Sequence, residues 1–214
     1  AALKQDEHRR ETAQKSPTIG TFHAVCLQIL RQDIDKLGYQ KNFAIYDEAD
    51  SLSVFKQIIK DLEFNPAQFK PAVLKENISR LKDKLIGAAT YQKDAEEFWP
   101  ERIAKIYLRY QEALQKANAL DFDDLIMLTV SLFLKEPDVL EKYQSRWPYI
   151  LVDEAHDTNL SQYKLINLLA QKNRNICLIA DIDQSIYSWR GADFRNILNF
   201  ERDYPETKVV FLEE

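Results

Sequence analysis

A chain of 214 residues, 45% of them hydrophobic, is long enough for one large domain or two small ones with a full core. Every apolar stretch is cut by Lys, Glu, Asp or Gln well before the ~20 residues a membrane span needs, and the opening AALKQDEHRRE is strongly polar, so neither a membrane span nor a secretory signal is expected. The net charge of −5 argues mildly against a nucleic-acid partner, yet Lys70, Lys75, Arg80, Lys82 and Lys84 cluster locally and could line a basic stripe.

The first sixteen residues are mixed in charge and show no period. PTIGTF, from Pro17 to Phe22, reads as a short strand with Gly20 in its middle, running into an amphipathic helix. That helix carries Val25, Cys26, Ile29, Leu30 and Ile34 at helical spacing, and Gly38 is placed to cap it. From there to about residue 145 the pattern is helical. Leu52, Phe55, Ile58, Ile59 and Leu62 share one face after Asp47, and Ile103, Ile106, Tyr107, Tyr110 and Leu114 share another. Asp121 to Leu134 and Pro137 to Tyr143 read as two further helices, with Asn65-Pro66, Lys70-Pro71 and Gly87 as punctuation.

The texture changes at Trp147. YILVDE, from Tyr149 to Glu154, is a continuous apolar run ending in acids, the pattern of a strand buried on both faces. A helix from Leu160 to Leu169, a second strand NICLIAD, a helix from about Phe194 to Phe200 and a third strand KVVFL follow. Strands alternating with helices call for a parallel α/β sheet. The expected division is 1–30 (strand and helix start), 31–145 (helical insert) and 146–214 (α/β remainder). Cys26 and Cys177 each sit in an apolar run, so both are expected to be buried free thiols in a reducing, cytoplasmic setting.

Open parallel sheets put function at the carboxyl ends of their strands. Here those ends carry Asp153-Glu154 and Asp181. In nucleotide hydrolysis one such carboxylate holds the Mg²⁺ shell and its neighbour orients or deprotonates the attacking water; strand alternation would point the two side chains apart. An acid at a strand end serves equally well as a solvated cap. A phosphate-accepting pocket built from Asp153, Glu154 and Asp181 is a third reading, but it wants a lysine at a later strand end, and Lys208 lies at the start of its strand.

After the second strand, Gln184-Ser185-Ile186-Tyr187-Ser188-Trp189-Arg190 places two aromatic rings and an arginine in a loop at the same sheet edge. Tyr and Trp offer faces on which bases stack, Arg adds phosphate or cation–π contact, and the Gln184 amide suits a γ-phosphate. Rings that plug a groove between loop and helix would look the same.

Taken together, VDEAHDTN (152–159) and ADIDQSIYSWRGAD (180–193) resemble motifs II and III of UvrD/Rep/PcrA-type superfamily 1 helicases, which read VDEYQDTN and GDxDQSIYxWRGAD. GTFHAVCLQILR (20–31) is similar to the motif Ib stretch, LDFDDLI (120–126) to the segment before motif II, and FERDYPETKVVFLEE (200–214) to the strand leading into motif IV. The likeness runs from about residue 17 to the end and is weakest from about 65 to 100. It implies a partial RecA-like (P-loop NTPase) parallel sheet with an inserted all-helical subdomain, from an ATP-dependent translocase on single-stranded DNA and its duplex junctions. It also implies roles: Asp153 for Mg²⁺, Glu154 for water activation, Gln184 for sensing the γ-phosphate, and Thr21, Phe22, His23, Tyr187, Trp189 and Arg190 for DNA. Asp121, Asp123 and Asp124 are expected to be a helix cap.

Three departures from the family matter. No glycine of the four (Gly20, Gly38, Gly87, Gly191) precedes a Lys-Ser/Thr pair, so GxxxxGK[ST] is absent from the sequence. The resemblance therefore implies a fragment that binds neither ATP nor Mg²⁺ by itself and is inactive without a phosphate-loop segment and a second RecA-like lobe of its parent. A non-catalytic DNA- or protein-binding module is the alternative. The second departure is Ala155-His156 in place of Tyr-Gln; His156 is expected to donate a hydrogen bond toward phosphate or motif III, with a charge sensitive to pH near neutrality. Ala180 also replaces a glycine.

Overall fold

A computed structural model describes residues 17–181, 184 and 195–211. Helices dominate it, and four of them start at a residue whose side chain caps the first turn. α1 (Phe22–Asp33) begins at Thr21, whose Oγ1 accepts from the Ala24 N–H, and it buries Cys26, Ile29 and Leu30. A 3₁₀ turn (Ile34–Leu37) follows and ends on Gly38 at φ +82°, a left-handed conformation that glycine adopts without strain.

After β1 (Ala44–Ile45), α2 (Glu48–Asp61) opens with a reciprocal capping box between Asp47 and Asp50. α3 (Pro71–Asp83) has proline in its first turn, where the missing N–H costs nothing. α4 (Ala88–Asp94) and the long α5 (Phe98–Lys116) lead to β2 (Ala119–Leu120) and α6 (Phe122–Lys135), whose N-terminus is a second capping box, between Asp121 and Asp124. α7 (Pro137–Arg146) follows at once, Glu136 capping both helices.

The α/β part contains β3 (Ile150–Val152), a 3₁₀ turn (Ala155–Asp157), α8 (Leu160–Ala170), β4 (Ile176–Leu178) and α9 (Arg195–Asp203). Both strand pairs are parallel: Ala44 opposite Ala119, and Ile150, Leu151 and Val152 opposite Ile176, Cys177 and Leu178. The expected alternation of strand and helix is therefore present, in shortened form.

Two apolar clusters hold the helices together. One packs α1 against α6, α7 and α8 through residues such as Cys26, Leu30, Val130, Phe133, Tyr143 and Leu165. The other packs α2, α3 and α5 through Phe55, Ile59, Ile78, Tyr107 and Tyr110, with the Phe55 and Tyr110 rings stacked at 4.2 Å.

Several sequence expectations need correction. Residues 17–21 form no strand; no described strand lies beside them, and Thr21 turns the chain into α1, while the Trp147 indole N–H donates to Thr18 Oγ1 at 3.0 Å. Residues 208–211 likewise pair with nothing described, and Val210 and Phe211 are 77% and 78% exposed. β3 is buried on one face only. Ile150 and Val152 pack under α8 and α9, whereas Leu151 and the neighbouring Cys177 face outward, so only Cys26 of the two thiols is buried. Lys82 leaves the proposed basic stripe: it is 1% exposed and lies on the apolar side of α3 with Leu74 and Ile78.

Candidate functional site

Lys82 has good reason to be inside. Its ammonium is 2.7 Å from Asp121 Oδ2 and 2.7 Å from Asp124 Oδ1. Tyr110 donates to Asp121 at 3.0 Å, and the Gln111 amide donates to Asp124 at 3.1 Å. Burial alone would strip Lys82 of its proton, but the two carboxylates outweigh it and hold the ammonium charged. Asp121 is held below the usual carboxylate range: burial raises it, and Lys82 with the surrounding donors overrides that. Asp124 is pushed up by burial, and the charge of Asp121 adds to it. Asp121 and Asp124 thus act as the expected cap, and they also neutralise a buried cation. Asp123, the third acid, is raised mainly by burial.

A second group of acids lies at the end of β3 and is built quite differently. The strand stops at Val152, and Asp153 and Glu154 are both exposed. Strand alternation does not separate their side chains; a change of backbone hand does. Glu154 adopts φ +50°, ψ 42°, a left-handed conformation costing an L-residue about 1–2 kcal/mol, and it starts the 3₁₀ turn. Asp153 Oδ1 accepts from the Glu154 N–H at 3.1 Å.

The next five residues reach three other elements. The Ala155 N–H donates to Ile179 O, just beyond β4, at 2.8 Å. His156, 2% exposed, accepts through Nδ1 from the Asp181 N–H at 3.1 Å. The expected donation toward motif III is therefore reversed in sense. Its Nε2 lies 3.5 Å from Glu154 Oε2 and 3.6 Å from Asp157 Oδ1. Thr158 receives the Asn196 side-chain amide from α9 on its carbonyl at 2.8 Å. Asn159 caps α8 in a box with Gln162 and donates to Asp83, at the end of α3, at 2.6 Å. Asp83 is pushed up to about 6, first by burial and then by the charge of Asp123.

Gln184 lies at the same edge: its side-chain amide donates to Asp181 Oδ2 at 2.6 Å and its N–H to Asp181 O at 3.2 Å. Asp153, Glu154 and Asp181 do not converge into a metal cage, since no described cluster of three or more His, Cys, Asp or Glu side chains could hold an ion.

The remaining candidates divide in two. Thr21 is exposed and caps α1, Phe22 packs on the cores beneath α1 and β3, and the His23 ring meets the edge of Phe122 at 5.8 Å. Burial lowers the His23 pKa more than Asp123 raises it, which favours a neutral ring. Tyr187, Trp189 and Arg190 lie outside the described residues. Sequence reasoning missed Asp83, Thr158, Asn159 and Asn196 and put Lys82 on a basic surface, although its place at the i+4 and i+8 positions after Ile78 and Leu74 marks the inner face.

These features define a helix-rich α/β unit with an acidic strand-end site fastened to the neighbouring strand and to the helical region. The chain belongs to the UvrD/REP helicase family: the UvrD/REP helicase N-terminal domain matches residues 2–205. Among its relatives are proteins named ATP-dependent DNA helicase PcrA from Staphylococcus aureus (strain Mu50 / ATCC 700699) and Staphylococcus epidermidis (strain ATCC 12228 / FDA PCI 1200). Each is 47% identical over 196 residues, which is 92% of this chain and 27% of the relative, so the chain spans about a quarter of their length.

Proposed function

We propose that this chain is the part of an ATP-dependent DNA helicase that carries the water-activating acids and the nucleotide sensor. They would sit on a partial RecA-like lobe (1–30 and 146–214) interrupted by a helical subdomain (31–145). The observation that carries this reading is the exposed Asp153-Glu154 pair at the end of β3, linked through buried His156 to the backbone beside Gln184. Family membership and the PcrA relatives support it.

The donor set fits a nucleotide-bound Mg²⁺, which takes one or two carboxylates and fills its shell with water and phosphate oxygens. Asp153 offers an exposed carboxylate with one oxygen engaged by its neighbour's N–H, and it would hold the ion. Bound Mg-ATP supplies the phosphoryl group and the neutralising charge. Glu154, on its left-handed backbone, takes the proton of the attacking water. Gln184 exchanges its bond to Asp181 for one to the terminal phosphate and so registers whether that phosphate is present. Thr21, Phe22 and His23 at the start of α1, with Tyr187, Trp189 and Arg190, would contact single-stranded DNA, His23 as a neutral hydrogen-bonding ring.

The phosphates themselves need a cradle of backbone N–H groups, and GxxxxGK[ST] occurs nowhere in this sequence. The chain alone is therefore expected not to turn over ATP, and micromolar affinity for Mg-ATP in a titration would count against that. The test of the main reading is Glu154→Gln in the full-length protein. DNA-stimulated turnover should fall by about 100-fold or more while Mg-ATP binding is kept. Ordinary turnover in that variant would remove Glu154 from the chemistry.

A further inference from the structure

We infer that His156 is a positioning residue that passes the state of the Gln184 segment to Glu154; the inference rests on the proposed role of Glu154. The ring is 2% exposed, and its Nδ1 is committed as acceptor of the Asp181 N–H at 3.1 Å. A neutral imidazole that accepts at one nitrogen carries its proton on the other. That Nε2–H faces two carboxylates at nearly equal distance, Glu154 Oε2 at 3.5 Å and Asp157 Oδ1 at 3.6 Å. Both separations exceed a good hydrogen bond, so the donor is shared and a shift of a few tenths of an ångström toward either side completes one bond.

The two acceptors are not equivalent. Asp157 Oδ1 is buried and has no hydrogen-bond partner among the described residues, which gives it a standing claim on the proton. The Glu154 side chain is 65% exposed. When the Asp181 backbone moves with Gln184, the ring moves with it, because Nδ1 is fastened there. In one position Nε2–H turns to Asp157 and leaves the Glu154 carboxylate unheld. In the other it bonds Glu154 Oε2 and fixes the carboxylate in one orientation, with its second oxygen left to take a proton from water. Sensing at β4 and the placing of the base at β3 are thereby linked through one ring.

The chemistry also predicts which replacement restores the link. Glutamine, like neutral histidine, presents one acceptor and one donor, whereas methionine fills the buried space and presents no N–H donor. In the full-length protein, His156→Met should lower kcat of DNA-stimulated ATP hydrolysis about 10- to 100-fold, as for a misplaced catalytic group. KM for Mg-ATP should stay within about twofold. Amide exchange at Asp181, followed by mass spectrometry, should accelerate in His156→Met. His156→Gln should recover both kcat and the exchange protection.

Unchanged Asp181 protection in His156→Met would overturn the inference. So would a His156→Gln protein as slow as His156→Met at equal melting temperature. If Glu154→Gln kept normal turnover, the underlying assignment and the coupling would fall together. The exchange result would then still report the His156–Asp181 bond, so the two failures read differently.

Discussion

Two places in this molecule share a sequence pattern and part company in physics. At each, a short parallel strand runs into acids and then a helical turn: Ala119-Leu120 into Asp121 and Asp124, and Ile150–Val152 into Asp153 and Glu154. In the first, the carboxylates are buried, shared between a capping box and Lys82, and have several donors each. In the second they are exposed, have little direct support, and one sits on a left-handed backbone. The first arrangement spends its hydrogen-bonding capacity on the fold, and the second leaves it available to a ligand. Burial and counter-charge separate a structural acid from one left open to a ligand, and neither is written in the local pattern.

Substitutions can break this contrast. The largest effect is expected from Glu154→Gln, which should cripple turnover and leave the melting temperature nearly unchanged. The reverse outcome is expected at the buried site. Lys82→Met strands two carboxylates away from water and should cost about 3–5 kcal/mol, the usual penalty for removing one side of a buried ion pair. Thermal unfolding of the variant checks it, and replacing Asp121 and Asp124 with asparagine in the same chain should recover much of the loss. An unchanged melting temperature in Lys82→Met would mean the network contributes nothing.

Trp189→Ala tests the proposed DNA contact. Loss of one stacked base should weaken single-strand binding by about 1–3 kcal/mol, read by fluorescence anisotropy at fixed salt. Affinity equal to the parent would withdraw the ring from the DNA path.

The smallest effect concerns Asp83, which sits between the two acid groups and accepts from Asn159. Its folded pKa of about 6 lies above its ordinary 3.8, so the fold favours its protonated form. Its contribution to stability therefore improves as pH falls through about 6 and levels off below 3.8. Asp83→Asn keeps an acceptor for Asn159 and should stabilise the protein at pH 7.5 by ~1 kcal/mol once solvent screening is allowed for, or about 3 °C, fading by pH 4. Equal shifts at both pH values would dissociate the gain from ionisation.

Much of this fold was legible because helices declare themselves locally. The apolar repeats of α1, α2 and α5 matched their buried faces, and the helix beginning at Asp121 started where its acids could cap it. Lys70-Pro71 read as a break but starts α3, since proline suits a first turn as well as an interruption. The sheet was less legible, because a strand needs a neighbour, and neither Pro17–Phe22 nor Lys208–Phe211 has one among the described residues. Continuous apolar character in ILV promised two covered faces, but covering is a non-local matter and Leu151 is 68% exposed.

At the candidate site, motif order nominated the residues, while the bonds of His156 and Asn159 could not be foreseen, since their partners lie 25 and 76 positions away. Lys82 was the avoidable miss. A lysine repeating at the spacing of Leu74 and Ile78 was on the inner stripe, and the acids able to receive it were already in view.

The unequal fate of the two cysteines has a practical consequence. Cys26 is wholly enclosed, and burial pushes its thiol up to about 12, so it presents almost no thiolate to a reagent. Cys177 stands on the open side of β4, level with Leu151 and one strand over from the Asp153-Glu154 corner. A maleimide dye should therefore attach at one position without mutagenesis, and its emission will report when another surface closes over that side of the sheet.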